Sequence, residues 1–292
     1  MTNYQLIYDY KDDRKYRESF NELAKLVFGL DFSQWYEKGC WNDQYICYSY
    51  IDGEKVIANA SISKMTVVTN GKEFKGIQVG TVMTHPDYRH KGLGRKLMDY
   101  IIETYEEQCE FIYLFANDSV LDFYPKFGFE RVQESGYFLN ADEYKKKSNK
   151  TIRKLDTGNI KDLSLMKLYA KERIPVSSVL DVKDNESLLM FYFLIAFPNS
   201  IYFIEEEDII VLFEEEDGEL HLYDVISRRK VDLEMVLSSI VSLDIKRIIF
   251  HFIPDCKNVE SEKIEAEDDV LFVRPMIEFG SERPLFPITS HS

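Results

Sequence analysis

The sequence lacks most of what holds small secreted proteins or membrane proteins together. Its four cysteines, Cys40, Cys47, Cys109 and Cys256, are scattered over 292 residues with no C-x-x-C pair. That spacing excludes a disulfide framework and a cysteine zinc site, and it fits reduced, mostly buried thiols. No apolar run approaches the roughly 20 residues that a membrane helix needs. The opening stretch, MTNYQLIYDYKDDRKY, lacks the basic-then-apolar order of a signal peptide, so the expected location is the cytoplasm. EF-hand spacing is missing among the carboxylates, and no metal is expected. Positive charge is also scarce: 36 Lys and Arg face 51 Asp and Glu, for a net charge of −15. The deficit is uneven, −3 over residues 1–150 and −12 over residues 151–292. Such a surface repels nucleic acid and anionic membranes, so neither is an expected partner, and it attracts cations.

What is present suits two packed domains: 45% hydrophobic residues on a chain of this length. NYQLIYDY reads as a strand, RKYRESFNELAKLVFG as a helix ending at Gly29, and DFSQWYEKG as a short second helix. Two strand-like runs follow, with hairpin turns at Asp52-Gly53 and Asn70-Gly71. A helix after residue 92, the strand FIYLFAN and the turn of SVLDFYPKFGFERV complete the first half. The lysine-rich YKKKSNK reads as a linker, which divides the chain into residues 1–148 and 149–292. Beyond it the order restarts: a strand, two helices, a three-stranded meander, a helix and two strands. That recurrence suggests an internal duplication.

One segment runs against the acidic background. In THPDYRHKGLGRKLMDYIIE, a strand ends, His85-Pro86-Asp87 turns the chain, and a helix with Leu93, Leu97, Tyr100 and Ile101 on one face begins. Glycines at 92 and 94 tighten the turn and leave no side chain to obstruct a ligand. The uncapped N–H groups of the first turn, with Arg89, Lys91 and Arg95 nearby, form an anion site suited to a pyrophosphate. A Walker loop is excluded because Gly94 is followed by Arg-Lys-Leu. The dinucleotide fingerprint is excluded because Leu97 stands where its third glycine belongs.

Arg89-x-x-Gly92-x-Gly94 between a strand and a helix resembles the R/Q-x-x-G-x-G/A signature of the Gcn5-related N-acetyltransferases. FANDSVLDFYPKFGF, with Asn117 seven residues before Tyr124, is similar to that family's strand, short helix and FYxKxGF turn. The resemblance covers about residues 4–140. It implies an α/β fold with a mixed sheet, acetyl-CoA as donor, and direct transfer to an amine. By position, the backbone of His90, Lys91, Gly92, Leu93, Gly94 and Arg95 would hold the CoA pyrophosphate. Val82, Met83 and Thr84 would pair with the pantetheine amides and polarise the acetyl carbonyl. Asn117 would anchor the pantetheine arm, and Tyr124 would protonate the departing thiolate. Reference pKa values of about 10 for tyrosine and about 8.5 for a thiol suggest that this proton moves readily to sulfur. Outside the motif, Tyr124 reads as a packed aromatic beside Phe123, Phe127 and Phe129.

A base must also take the amine's proton. His85, Asp118, Glu73 and Glu37 are candidates. So is the carboxylate of Ser292, because the first half and the appended domain are similar to the enhanced intracellular survival acetyltransferases, in which a terminal carboxylate reaches the active site. The matching joint of the second half, DVISRRKVDLEMVL, has Arg228, Arg229 and Lys230 but no glycine in its turn, so a pyrophosphate would approach it poorly. The expectation is a tandem acyl-CoA N-acyltransferase fold, active in its first domain and degenerate in its second. Its acidic surface favours a cationic primary amine as acceptor. A module that senses acyl-CoA without turnover is the alternative.

Overall fold

A computed structural model describes residues 4–145, 150–265, 269–280 and 283–292. The division expected at 148/149 and most of the lysine-rich linker lie outside the described residues. Strand β1 (Gln5–Tyr8) leads into helix α1 (Arg14–Phe28), which the Asp13 side chain caps and a left-handed Gly29 closes. After the short helix α2 (Ser33–Glu37), strands β2 (Tyr45–Asp52), β3 (Lys55–Thr69) and β4 (Lys72–Thr84) form consecutive antiparallel hairpins. Asn70 and Gly71 both take positive φ, as a two-residue turn matched to strand twist requires. Helix α3 (Leu93–Tyr105) then crosses to β5 (Phe111–Ala116), which runs parallel to β4. Strands β6 (Glu130–Arg131) and β7 (Ser135–Asn140) follow.

The second half begins with β8 (Ile152–Lys154), α4 (Ile160–Glu172) and β9 (Leu180–Lys183). Helix α5 (Glu186–Phe191) continues as a π turn over Tyr192–Ala196. The expected meander is β10 (Ile201–Ile204), β11 (Ile209–Glu216) and β12 (Glu219–Ile226). Helix α6 (Leu233–Ile240) leads to β13 (Arg247–Phe250), parallel to β12, and β14 (Glu260–Lys263) and β15 (Val270–Arg274) follow. The same unit thus occurs twice: an antiparallel pair, a crossover helix and a parallel strand, as β3-β4-α3-β5 and as β11-β12-α6-β13.

The fold is mixed α/β with two mixed sheets, ordered β1-β2-β3-β4-β5-β15-β6 and β14-β7-β13-β12-β11-β10-β8, with β9 paired to β3. Three strands cross between the halves: β9 pairs with β3 of the first sheet, and β15 and β7 are exchanged. β15 enters the first sheet between β5 and β6, while β7 enters the second between β13 and β14. Hydrophobic periodicity finds such strands but not their partners, which depend on contacts remote in sequence. A shared core including Met65, Val67, Phe111, Tyr113, Val182 and Phe286 lies between the halves. Trp35 of α2, fully buried, donates its indole N–H to the Ser187 carbonyl at 2.8 Å, tying the first half to α5.

Candidate active site

The site begins where the first sheet opens. β4 and β5 pair only from Gly76–Gln78 against Phe111–Tyr113; further along, the two strands part. A bulge turns β4 there: its register with β3 shifts between Asn59 and Ser61, and Thr81 takes a φ of +49°. A buried polar chain fixes that bend. Asn59, fully buried, donates from Nδ2 to the Thr81 carbonyl at 2.9 Å and to Ser61 Oγ at 2.9 Å. Its Oδ1 accepts from Ser49 Oγ at 2.8 Å, and the Tyr10 hydroxyl lies 2.6 Å from that same Oγ. Every link is satisfied, so the bend is held rigidly without unpaired polar groups.

The gap forms a cleft of about 600 Å³. Val82, Met83, Thr84, Arg89, His90, Gly92, Leu93, Gly94, Arg95, Asn117, Tyr124 and Ser292 all line it. Lys91 and His85 do not. The Lys91 ammonium lies 4.4 Å from the centre of the Tyr88 ring and 3.3 Å from the Tyr4 hydroxyl. His85 accepts from the Asp87 N–H through Nδ1, capping the one-turn helix Pro86–Tyr88, and its Nε2 faces the Lys55 ammonium at 2.9 Å. Glu37, Glu73 and Asp118 also lie outside the lining, and Glu73 is paired with Lys183 at 2.6 Å.

At the basic turn, His90 and Gly92 both take left-handed conformations, with φ of +61° and +74°. Alternation of this kind turns successive N–H groups toward one point, a nest for an anion. Gly92 is the N-cap of α3 and supplies no side-chain bond, so the first-turn N–H groups keep their donor capacity alongside the positive end of the helix dipole. The two glycines work differently. Gly92 is needed for its φ, whereas a Cβ at Gly94 would meet only the edge of Phe123, at 3.9 Å. The fold therefore tolerates a side chain at 94 that a ligand on the turn would not.

Asn117 Oδ1 accepts from Ser119 N at 3.1 Å and from Ser119 Oγ at 2.6 Å, which fixes the turn at the end of β5. Tyr124 is 5% exposed and packs edge-on against Phe123 and Phe129. Burial pushes its phenol up to about 12. This corrects the expected proton movement. Against a thiol near 8.5, such a phenol holds its proton by about 3.5 units, and transfer to a free thiolate runs uphill by ~5 kcal/mol. Even the reference values have that sign. The residue is suited to donating a hydrogen bond to developing negative charge rather than to giving its proton up.

Residues 13–132 match the family model of the acetyltransferase (GNAT) domain, over the segment that builds this cleft. The chain carries a GNAT acetyltransferase domain. Among solved structures, Eis1 from Mycobacterium abscessus is 13% identical with a TM-score of 0.59, over 92% of this chain and 73% of that one. GCN5-related N-acetyltransferases from Kribbella flavida and Anabaena variabilis give 14% and 13% identity and TM-scores of 0.57 and 0.56. These cover 93% and 92% of this chain and 72% of each of theirs. At such identities the likeness concerns the fold. No curated protein matches the sequence.

The tail reaches into the GNAT cleft along a built path. Phe286 stacks on Tyr113 at 4.9 Å and donates its N–H to Glu134 Oε1 at 2.9 Å. Ile288 donates its N–H to the His251 carbonyl, and Thr289 its hydroxyl to Asp224, a carboxylate already held by the buried Arg173. The Tyr192 hydroxyl then holds the His291 carbonyl at 2.8 Å, and Ser63 Oγ donates to Ser292 Oγ at 3.0 Å. Ser292 lies directly on Gly80, where a Cβ would come within 2.6 Å of both the Ser292 carbonyl carbon and its Oγ. Local sequence pattern does not single out Gly80 or Asn59. An isolated glycine in IQVGTVMT is the one available signal, since glycine inside a strand marks close backbone approach.

The second joint differs at each of these points. The Asp232 side chain caps α6, accepting from Glu234 N at 3.1 Å and Met235 N at 3.4 Å, so an acid occupies the place an anion would take. Arg228 is paired with Glu172 and Asp208, and Arg229 donates to the Glu207 carbonyl.

Proposed function

We propose that the protein transfers an acetyl group from acetyl-CoA to a primary amine of a cationic small molecule, by direct attack within a ternary complex. The open α3 terminus carries the reading: two left-handed residues and an uncapped first turn form a diphosphate cradle beside a splayed strand. In this reading the pantetheine lies along Val82–Thr84 as an added strand, which orients the thioester and polarises its carbonyl. Tyr124 donates a hydrogen bond to the sulfur as the C–S bond breaks. The carboxyl group that this sequence carries at Ser292, which lies on Gly80 in the cleft wall, meets the ammonium. Arg89 and Arg95 at the cleft suit the CoA diphosphate, and no Asp or Glu side chain lines the cleft among the described residues, which favours the Ser292 carboxyl group for the ammonium. The capped α6 terminus supports a single CoA site, with the second domain walling the acceptor side.

The test is a panel of polyamines, aminoglycosides and amino acids with acetyl-CoA, scored by free thiol. Saturable turnover with cationic amines is expected. Tight CoA binding with no thiol release across the panel would instead favour an acyl-CoA sensor.

A further inference from the structure

An alkylammonium brings three N–H protons to the reaction and the amide keeps one. One of the others ends on sulfur and one must reach water. Beyond the Ser292 carboxyl group, the cleft walls supply no path for the last among the described residues, whose one histidine there, His90, belongs to the basic turn.

Behind the cleft, His291 is built for this work. Its Nδ1 lies 2.7 Å from Asp269 Oδ2, and that carboxylate fixes the ring with Nδ1 as donor, so Nε2 carries the lone pair. Nε2 is buried with no partner among the described residues. The ring stacks on Phe115 with centroids 3.5 Å apart and planes 14° apart, and Phe115 lines the cleft. His291 also borders a second cavity of about 300 Å³, which Glu134, His251 and Asp269 line as well. Resting on the acetyltransferase reading above, we propose that His291, oriented by Asp269, accepts the amine's proton and passes it to this second cavity. The N–H bond of the ammonium breaks, through Ser292 or a water. An H–Nε2 bond forms, and the electron pair left on nitrogen attacks the thioester carbonyl. Asp269 steadies the imidazolium, and its half-exposed carboxylate opens the path to water.

The titratable and charged groups facing the ring are Asp269, Glu134, His251 and Tyr192, with Arg131 at the cavity rim. Burial raises Asp269, but the bond and charge of His291 outweigh it and leave the carboxyl below its usual range. Asp269 thus stays an anion through neutral pH.

The experiment compares the wild-type protein with His291→Ala, His291→Phe, which keeps the stack on Phe115, and Asp269→Asn. Thiol release is followed from pH 5.5 to 9, with CoA affinity measured by calorimetry. Both His291 variants should bind CoA as the wild type does, lose about 10²-fold in kcat/KM, and lose the acidic limb of the pH profile. Imidazole should partly rescue His291→Ala, and Asp269→Asn should move the limb to lower pH. A structural role would give neither rescue nor a moved limb. An active wild type whose acidic limb survives in both His291 variants overturns this proposal alone. A wild type that binds CoA and turns over no amine overturns it together with the acetyltransferase reading.

Discussion

Replacing Gly80 with alanine tests whether the tail's position matters to the chemistry. The backbone at 80 is not left-handed, so alanine imposes no φ penalty there. Its methyl group would nonetheless stand 2.6 Å from the carbonyl carbon of Ser292, where ordinary contact begins near 3.4 Å. The tail must retreat by about 1 Å. Residues 286–291 would keep their anchors at Glu134, His251, Asp224, Tyr192 and Asp269, so the retreat is confined to Ser292. The stability cost is then little more than the Ser63–Ser292 hydrogen bond, about 1 kcal/mol, or roughly 2 °C in Tm. The kinetic cost is larger, because a 1 Å misplacement of a reacting group can cost about 10²-fold. Thiol release by Gly80→Ala should therefore fall about 10²-fold in kcat, while the CoA dissociation constant stays within twofold. Equal kcat for the two proteins would refute the placement of Ser292 at the reacting centre.

Tyr124→Phe keeps the aromatic packing and removes the hydrogen bond to sulfur. It should lower kcat by about 10²-fold at every pH from 6 to 9, with no change in CoA affinity by calorimetry. Glu134 is buried, and burial raises its carboxyl to about 7. The folded protein then holds a proton that the unfolded chain releases above about 4.5, so stability is greatest below that value and falls as pH rises to 7. Glu134→Gln keeps an acceptor for the Phe286 N–H. By urea unfolding it should be more stable than wild type at pH 8, by up to ~3 kcal/mol, with the difference closing below pH 4.5. A gap that widened in acid would contradict that assignment.

The parts of the site that were legible in the sequence are those whose chemistry is local. Gly92, Gly94 and Arg89 sit within one turn, and the spacing of Asn117 from Tyr124 spans one short excursion. The strand-helix-strand order and both hairpin turns follow from periodicity and from Asn-Gly and Asp-Gly preferences. What escaped depends on partners far away in the chain. Asn59 is an unremarkable polar residue until the bulge carbonyl of Thr81 lies above it, and Gly80 has no evident purpose until Ser292 arrives from 212 positions downstream. The exchange of β7 and β15 is of the same kind: both strands read correctly as strands, but nothing in their pattern tells which sheet receives them. His85 misled for the opposite reason. A histidine beside the motif invites a catalytic role, yet its ring is occupied by the Asp87 N–H and Lys55.

Titration calorimetry with CoA tests most directly whether the amides of residues 90–95 bind the CoA diphosphate. Wild type should give a saturable one-site isotherm, weakened at least tenfold when 3′-dephospho-CoA is truncated further to pantetheine. Gly94→Val, which the protein itself can accommodate, should abolish the isotherm while leaving Tm within about 2 °C. Equal CoA affinity in wild type and Gly94→Val, or no binding by wild type, would contradict the account.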